Sequence, residues 1–275
     1  MFNVKHRCIS SEHELPLLCR SKYVQSDMRN VYKTIKKQLN SGAKVLFSGT
    51  PCQTTALAKF IGDRLCPNLY LVDIVCHGVP SPDVWKEYLK ELCGQKYKTV
   101  EDIESIYFKY KVDDKTWMHP GFCIKWKDGT EYLNFSNNTW YEKGFLGNLY
   151  VRPSCHKCLF KCLQSVSDMT IGDFWGCKEL YPEFFDKNGV SLAIVKTKKG
   201  EYIKRKLEDN MELISISKKE ASQYNARLIE ASQENPKRKK FWGKYSNMEI
   251  LIEQLTYFSF YDRVKNKIRK ILDKK

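Results

Sequence analysis

Two short apolar runs, each followed by a turn and then by a helical pattern, constrain the fold of this chain most. Residues 44–48 and 68–76 are mostly apolar over a strand's length and predict buried strands. A turn at 49–53 leads into a helix expected over 54–61, and Pro82 is well placed as the first residue of another helix. This order predicts a parallel βαβ unit, whose turns should meet at the carboxyl edge of the sheet, where ligands usually bind.

The middle of the chain changes to a pattern typical of antiparallel strands. Segments 103–110, 121–126 and 130–135 predict three such strands, and Asp128-Gly129 is a strong hairpin signal. A helix is expected over 137–149, and strands are expected near 169–172 and at 191–195. Before the first parallel strand, Ser26 or Asp27 is expected to cap a helix, and the polar helical region after residue 201 includes one candidate strand near 213–216.

The fold class predicted from these patterns is α/β, with a parallel βαβ core, an antiparallel insertion and a helical C-terminal tail. The insertion should occupy about residues 100–150. We expect one main domain over residues 1–232 and a basic helical tail over residues 233–275.

The chain is strongly basic, with a formal net charge of +15 over 275 residues. This charge favours anionic partners, which include nucleotide cofactors, acidic proteins, nucleic acid and membrane surfaces. No nucleic-acid recognition module is recognisable, so we expect no nucleic-acid partner. In residues 261–275, Val264, Ile268, Ile271 and Leu272 recur at helical spacing among lysines and arginines. This pattern predicts either peripheral contact with an anionic membrane or docking on the protein's own core.

The chain has eleven cysteines and shows neither a secretory signal nor a transmembrane run, which predicts a cytoplasmic protein with reduced thiols. Clustered cysteines then indicate a metal or redox site. Cys155 and Cys158 form a C-x2-C pair, and Cys162 follows one turn later. Cys52 and Cys76 each follow a predicted parallel strand, so both should lie at the same sheet edge.

The sequence therefore allows a four-thiolate site built from Cys52, Cys76, Cys155 and Cys158, with Cys162 as the competitor for the fourth position. Thiolates are typical ligands of zinc and of iron–sulfur clusters. A structural zinc ion would normally need a second closely spaced pair, which the sequence lacks. The remaining six cysteines are expected to be small buried side chains.

Two further motifs leave alternatives open. Cys52 at a helix N-terminus, with His77 as its base, could form a thiol enzyme, or the same turn could hold a phosphate. The segment Gly172-Asp-Phe-Trp-Gly176 follows an apolar strand. It predicts either a ring that stacks on a flat ligand or a buried aromatic corner.

Five motifs in order resemble the coenzyme F420-reducing hydrogenase/dehydrogenase beta subunit family, over roughly residues 21–195. They are Ser21-Lys-Tyr-Val-Gln-Ser26, Val45-Leu-Phe-Ser-Gly-Thr-Pro-Cys-Gln53, Asp73-Ile-Val-Cys-His-Gly-Val-Pro-Ser81, Arg152-Pro-Ser-Cys-His-Lys-Cys158 and Ser167-Asp-Met-Thr-Ile-Gly-Asp-Phe-Trp-Gly176. The resemblance implies a [4Fe-4S] cluster on Cys52, Cys76, Cys155 and Cys158, beside a flavin that is usually FAD. Electrons would pass to or from a redox partner protein or a small carrier such as a deazaflavin. The candidates for anchoring the flavin are Lys22, Tyr23, Ser26, Thr50 and Arg152.

The chain departs from the family pattern in two ways. Only Cys8 and Cys19 precede the first matched motif, so the ferredoxin-like N-terminal segment of many members is expected to be absent. The His77-Gly-Val-Pro and Asp173-Phe-Trp-Gly motifs resemble bacterial members expected among polysaccharide-assembly genes, whose hosts need not make the deazaflavin. The expected function is an iron–sulfur, FAD-binding oxidoreductase or electron-transfer protein. The alternative is a zinc-stabilised binding or scaffold protein on the same fold.

Overall fold

The computed structural model describes residues 3–112, 117, 119–135, 139–243 and 247–256, with Leu65 described by its backbone alone. The strands in these residues are β1 Val45–Gly49, β2 Leu69–Ile74, β3 Ile103–Tyr110, β4 Gly121–Trp126, β5 Glu131–Phe135, β6 Met169–Asp173 and β7 Ser191–Val195. The α-helices are α1 Leu15–Leu18, α2 Val31–Asn40, α3 Pro51–Ile61, α4 Pro82–Gln95, α5 Trp140–Leu146, α6 Cys177–Leu180, α7 Lys198–Glu208, α8 Lys218–Gln223, α9 Ala226–Ile229, α10 Arg238–Gly243 and α11 Met248–Thr256.

Four strands form a mixed sheet in the order β1-β2-β6-β7. Strands β1, β2 and β6 are parallel, whereas β7 runs antiparallel to β6. The predicted parallel βαβ unit is therefore confirmed. Because parallel strands end at the same edge, Gly49, Ile74 and Asp173 all mark the carboxyl edge of this sheet.

Helices α2 and α3 cover β1 and β2 on one face. Ile35 and Leu39 lie four residues apart on α2 and are buried together with Phe47 and Leu57. Helix α3 begins at Pro51, earlier than the sequence predicts, because Thr50 caps it and forms a capping box with Gln53.

The antiparallel insertion forms a second sheet in the order β3-β4-β5. The core cluster on this sheet includes buried aromatic side chains from α4, β4 and α5, among them Trp85, Phe122 and Tyr141. Phe241 of α10 and Ile252 of α11 are fully buried in the same cluster. The described part of the predicted tail therefore packs against the insertion, while the division at residue 233 stays a prediction.

Residues 212–217 are all described and form no strand, although the sequence favours one near 213–216. The amphipathic segment 261–275 lies outside the described residues. Within the described ranges, no helix combines the length and the apolar character needed to cross a bilayer.

Candidate functional site

The four cysteines predicted as ligands come from three segments that meet at the carboxyl edge of the four-stranded sheet. Cys52 is the second residue of α3, directly after β1, and Cys76 follows β2 by two residues. Cys155 lies in the 3-10 turn Pro153–Lys157, and Cys158 comes directly after that turn. A bridge between Pro80 and Val151 holds the last segment beside the turn after β2.

The charges of these thiols affect one another. Burial is the main cause that raises the pKa of Cys76 to about 12; Lys161 opposes the rise, and the thiolates of Cys155 and Cys52 add to it. Burial also raises the pKa of Cys155, with smaller contributions from Cys158 and Cys52. Each of the four cysteines therefore lies near at least one other. Binding of a metal group would have to displace protons from these thiols.

Gly78 allows the segment after β2 to approach Cys155 closely. Its φ is +148°, a backbone angle that other residues rarely adopt. A Cβ atom at this position would lie 2.7 Å from Cγ1 of Val151 and 3.4 Å from Cβ of Cys155. The absence of a side chain at Gly78 therefore lets the turn after β2 pack closely against the segment that carries Val151 and Cys155.

Cys162 has a different environment. Its thiol donates a hydrogen bond to the carbonyl oxygen of Ile229 at 3.3 Å, and its N–H donates to the carbonyl oxygen of Leu228 at 2.9 Å. Its thiolate is not among the main charges that shift the pKa of Cys76 or Cys155. The hydrogen bonds of Cys162 are therefore with the end of α9, at Leu228 and Ile229.

The group does not form a binding site for a single ion. Among the residues that the structure describes, no three His, Cys, Asp or Glu side chains are arranged to hold one metal ion. Four thiolates around a multi-iron cluster stand farther apart than those around one ion. Four free thiols can serve as ligands of an iron–sulfur cluster or of zinc.

Lys161 places a positive charge beside the four-cysteine group. Its ammonium donates to the carbonyl oxygen of Cys76 at 2.5 Å and to that of Arg227 at 2.7 Å. Burial lowers its pKa, an effect that the thiolates of Cys76 and Cys158 oppose. The only sign of this residue in the sequence is its position, three residues after Cys158.

A second group of side chains lies where β6 ends. Lys109 of β3 forms an ion pair with Asp173 and contacts the phenol of Tyr23. Its ammonium is 5.2 Å from the ring centre of Trp175, which in turn lies 4.5 Å from the ring centre of Trp117. Burial alone would lower the pKa of Lys109, but Tyr23 and Asp173 together raise it. We call Tyr23, Lys109, Asp173 and Trp175 the β6-end group.

The β6-end group and the cysteines are linked through the sheet. A Cβ atom on Gly172 would lie 2.6 Å from Cγ2 of Val75, the residue before Cys76. Trp175 is 38% exposed, so part of its ring is open to a ligand. The sequence predicts a role for the Gly172–Gly176 segment but gives no sign of Lys109 or Trp117.

A family profile that describes the carboxy-terminal part of the coenzyme F420 hydrogenase/dehydrogenase beta subunit matches residues 42–220. The matched range begins before β1 and ends in α8, so it contains all four cysteines and most of the β6-end group. The chain belongs to this family. Membership gives this F420 hydrogenase/dehydrogenase beta-subunit relative a role in electron transfer or oxidoreduction. Among curated protein sequences, no match to the chain was found.

Within this family member, the residues predicted to anchor a flavin occupy different places. Thr50 lies beside the cysteines, with its Oγ1 3.2 Å from Sγ of Cys52, and Arg152 is exposed near Cys155. Tyr23 belongs to the β6-end group. The ammonium of Lys22 donates to the carbonyl oxygen of Cys19 at 2.6 Å, and Oγ of Ser26 bonds Nδ1 of His6 at 2.7 Å. These contacts of Lys22 and Ser26 lie within the N-terminal segment.

His77 does not serve a thiol in this family member. Its Nε2 is 2.8 Å from Oδ1 of Asn148, and its ring packs edge-on against Phe145. Burial lowers its pKa, and the hydrogen bond with Asn148 opposes this effect. The arrangement does not favour the alternative of a cysteine nucleophile with His77 as base.

Proposed function

We propose that this chain is an iron–sulfur electron-transfer protein or oxidoreductase subunit that holds a [4Fe-4S] cluster on Cys52, Cys76, Cys155 and Cys158. The observation that supports the proposal is the meeting of these four thiols, from three separate segments, at the carboxyl edge of the sheet. Four cysteine thiolates are the usual ligand set of such a cluster. Zinc, which four thiolates also bind, is the alternative that metal analysis distinguishes.

We further propose that the β6-end group receives the ring system of FAD. The indole of Trp175 is partly exposed, and Lys109 places a cation 5.2 Å from that ring. A flavin bound there would supply two-electron chemistry beside a one-electron centre. Thr50 and Arg152 lie at the cysteine end of the same edge and are candidates for its phosphates, whereas Lys22 and Ser26 are candidates by resemblance alone.

Either direction of electron flow is compatible with this arrangement. A redox partner protein or a small electron carrier would exchange electrons with the cluster. The link to polysaccharide assembly rests on the sequence resemblance and assigns no residue a role.

The proposal is tested by anaerobic purification of the wild-type chain and of Cys155→Ser and Cys162→Ser, followed by iron, sulfide, zinc and flavin analysis. We expect about four iron and four sulfide per wild-type chain, since a [4Fe-4S] cluster contains these numbers. Cys155→Ser should lose most of this iron, because the cluster loses a ligand. Cys162→Ser is the matched control and should keep it. Full iron in Cys155→Ser, or stoichiometric zinc without iron in the wild type, would show that the assignment is wrong.

A further inference from the structure

The loop that carries Cys158 exposes a large apolar side chain to solvent. Leu159 directly follows Cys158 and is 82% exposed, and Val166 further along the same loop is 52% exposed. Exposed leucines are common on protein surfaces, but here one lies next to a proposed ligand of the redox centre. Electron transfer requires close approach to that centre, so the position of Leu159 matters more than its exposure alone.

The same stretch of chain is basic. Residues 152–167 contain three Lys or Arg and no Asp or Glu. Arg152 and Lys157 are exposed, and among the described residues neither is engaged in an ion pair. Lys161 instead directs its ammonium inward, toward the carbonyl oxygens of Cys76 and Arg227. The carboxylate of Glu230 lies 3.9 Å from the guanidinium of Arg227, so Arg227 offsets the negative charge of Glu230.

We propose that Lys157 and Leu159 form the centre of a docking surface for an acidic electron-carrier protein. The proposal rests on the proposed function, because it places the partner over the cysteine group. An unpaired cation beside an exposed apolar side chain complements an acidic surface with a small apolar centre. Opposite charges of this kind increase the rate of encounter, and small weak interfaces are typical of redox partners.

The test uses the full-length chain and a plant-type [2Fe-2S] ferredoxin as the acidic probe, with basic cytochrome c as the opposite-charge probe. Binding of each oxidised probe is measured by isothermal titration at low and at high salt. We expect the ferredoxin to bind and the cytochrome not to bind, and the ferredoxin affinity should fall with salt because exposed charges are screened. The measurement needs no electron transfer, so it can be read whether or not the chain carries a cluster.

Two substitutions and two matched controls locate the surface. Lys157→Glu should weaken ferredoxin binding about tenfold, and Leu159→Ser should weaken it severalfold. Lys90→Glu reverses the charge of an exposed lysine on α4, and Tyr97→Ser removes a 99% exposed ring beyond the end of that helix. Both controls should leave the affinity unchanged. Absence of ferredoxin binding, or equal losses in the controls, would overturn the proposal.

Iron and sulfide analysis of the same samples separates this proposal from the proposed function. Normal iron content with no effect of Lys157→Glu or Leu159→Ser would reject the docking surface and leave the cluster assignment intact. If the chain contains no iron but Lys157→Glu and Leu159→Ser still weaken ferredoxin binding, the docking surface is supported and the cluster assignment is rejected. Absence of both iron and binding would reject both.

Discussion

Lys161 shows how a single residue can influence the cysteine group without being a ligand. Its ammonium bonds the carbonyl oxygen of Cys76, and its charge is felt by the thiolates of Cys76, Cys155 and Cys158. A cation at this place favours the more negative, reduced state of a bound cluster, because net charge and hydrogen bonding set cluster potentials.

Lys161→Met should therefore lower the reduction potential of the reconstituted protein, by on the order of tens of millivolts. The potential is measured by a spectroscopic redox titration under anaerobic conditions. Lys161→Arg keeps the charge and should restore most of the potential. Lys157→Met removes an exposed cation and should have a smaller effect, since water screens it. An unchanged potential in Lys161→Met with full iron content would contradict this role.

At the residue scale, the positions of Cys52 and Cys76 after parallel strands could be predicted from the sequence, whereas the neighbours of the cysteines could not. Cys155 and Cys158 lie close together in the chain, and Cys52 and Cys76 follow recognisable strands, so local patterns are sufficient. The amine of Lys161 instead reaches carbonyl groups 85 and 66 residues away in sequence. Lys109 likewise meets Asp173 across 64 residues. No local pattern encodes such a contact.

The turn after β2 depends on a glycine for both its backbone and its contacts. Gly78→Ala should lower the free energy of unfolding by about 1–3 kcal/mol, because the new Cβ would overlap Val151 and strain a φ of +148°. Gly94→Ala on α4 is the matched control: no atom lies within 4 Å of its added Cβ, so it should not destabilise the protein. Urea denaturation of both variants checks the prediction. Equal stability of Gly78→Ala and the wild type would show that the turn is not constrained in this way.

Helix α5 contains a buried acid that makes stability depend on pH. Glu142 is 3% exposed, and burial raises its pKa from 4.5 to about 7, while hydrogen bonds from Thr139 oppose the rise. A raised pKa in the folded state means that the folded protein holds the proton more tightly than the unfolded chain does. This contribution to stability is fully present below pH 4.5 and is lost as the pH rises through 7.

Glu142→Gln should remove this dependence. Relative to the wild type, the variant should gain about 3 kcal/mol in the free energy of unfolding between pH 4 and pH 8. Denaturant titrations at several pH values measure the difference, and Glu87→Gln, an exposed position on α4, serves as the control. Parallel pH profiles for wild type and Glu142→Gln would contradict the assignment.

Most elements could be predicted from local patterns, and the exceptions have physical causes. Strands β3, β4 and β7 coincide with their predicted ranges because apolar patterning defines them. The Asp128-Gly129 turn also marks the end of β4. The segment near 213–216 has strand-like residues but forms no strand in the described chain, and Ile216 packs against the cluster around Phe174 instead. A strand needs a hydrogen-bonding neighbour, which a single segment cannot specify.

At the scale of the whole molecule, the C-terminal helices complete the core of the insertion. Phe241, Ile252 and Leu255 are at most 4% exposed in the cluster that also contains α5. The basic residues that flank these side chains in the sequence suggest a separate tail. The apolar surface of α5 against which they pack cannot be recognised from the sequence. The two-sheet architecture could be predicted, whereas this closing contact could not.

A chain ending at residue 232 should be much less stable than a chain ending at residue 256. Each large apolar side chain removed from the core contributes about 1.5–3 kcal/mol by burial. Thermal denaturation followed by circular dichroism compares the two lengths with the full-length protein. A cooperative, wild-type-like transition in the shorter chain would instead support an independent domain over residues 1–232.

The strand order has a consequence for how the protein is made. Strand β2 is central in the finished sheet, yet its neighbour β6 is separated from it in the chain by α4, the whole second sheet and α5. During synthesis, β2 therefore emerges from the ribosome long before the strand that covers its open edge. An uncovered apolar strand edge is a hazard for association with other chains. We infer that a newborn chain stalled before Met169 would be a client for chaperones, whereas one released after Val195 would not.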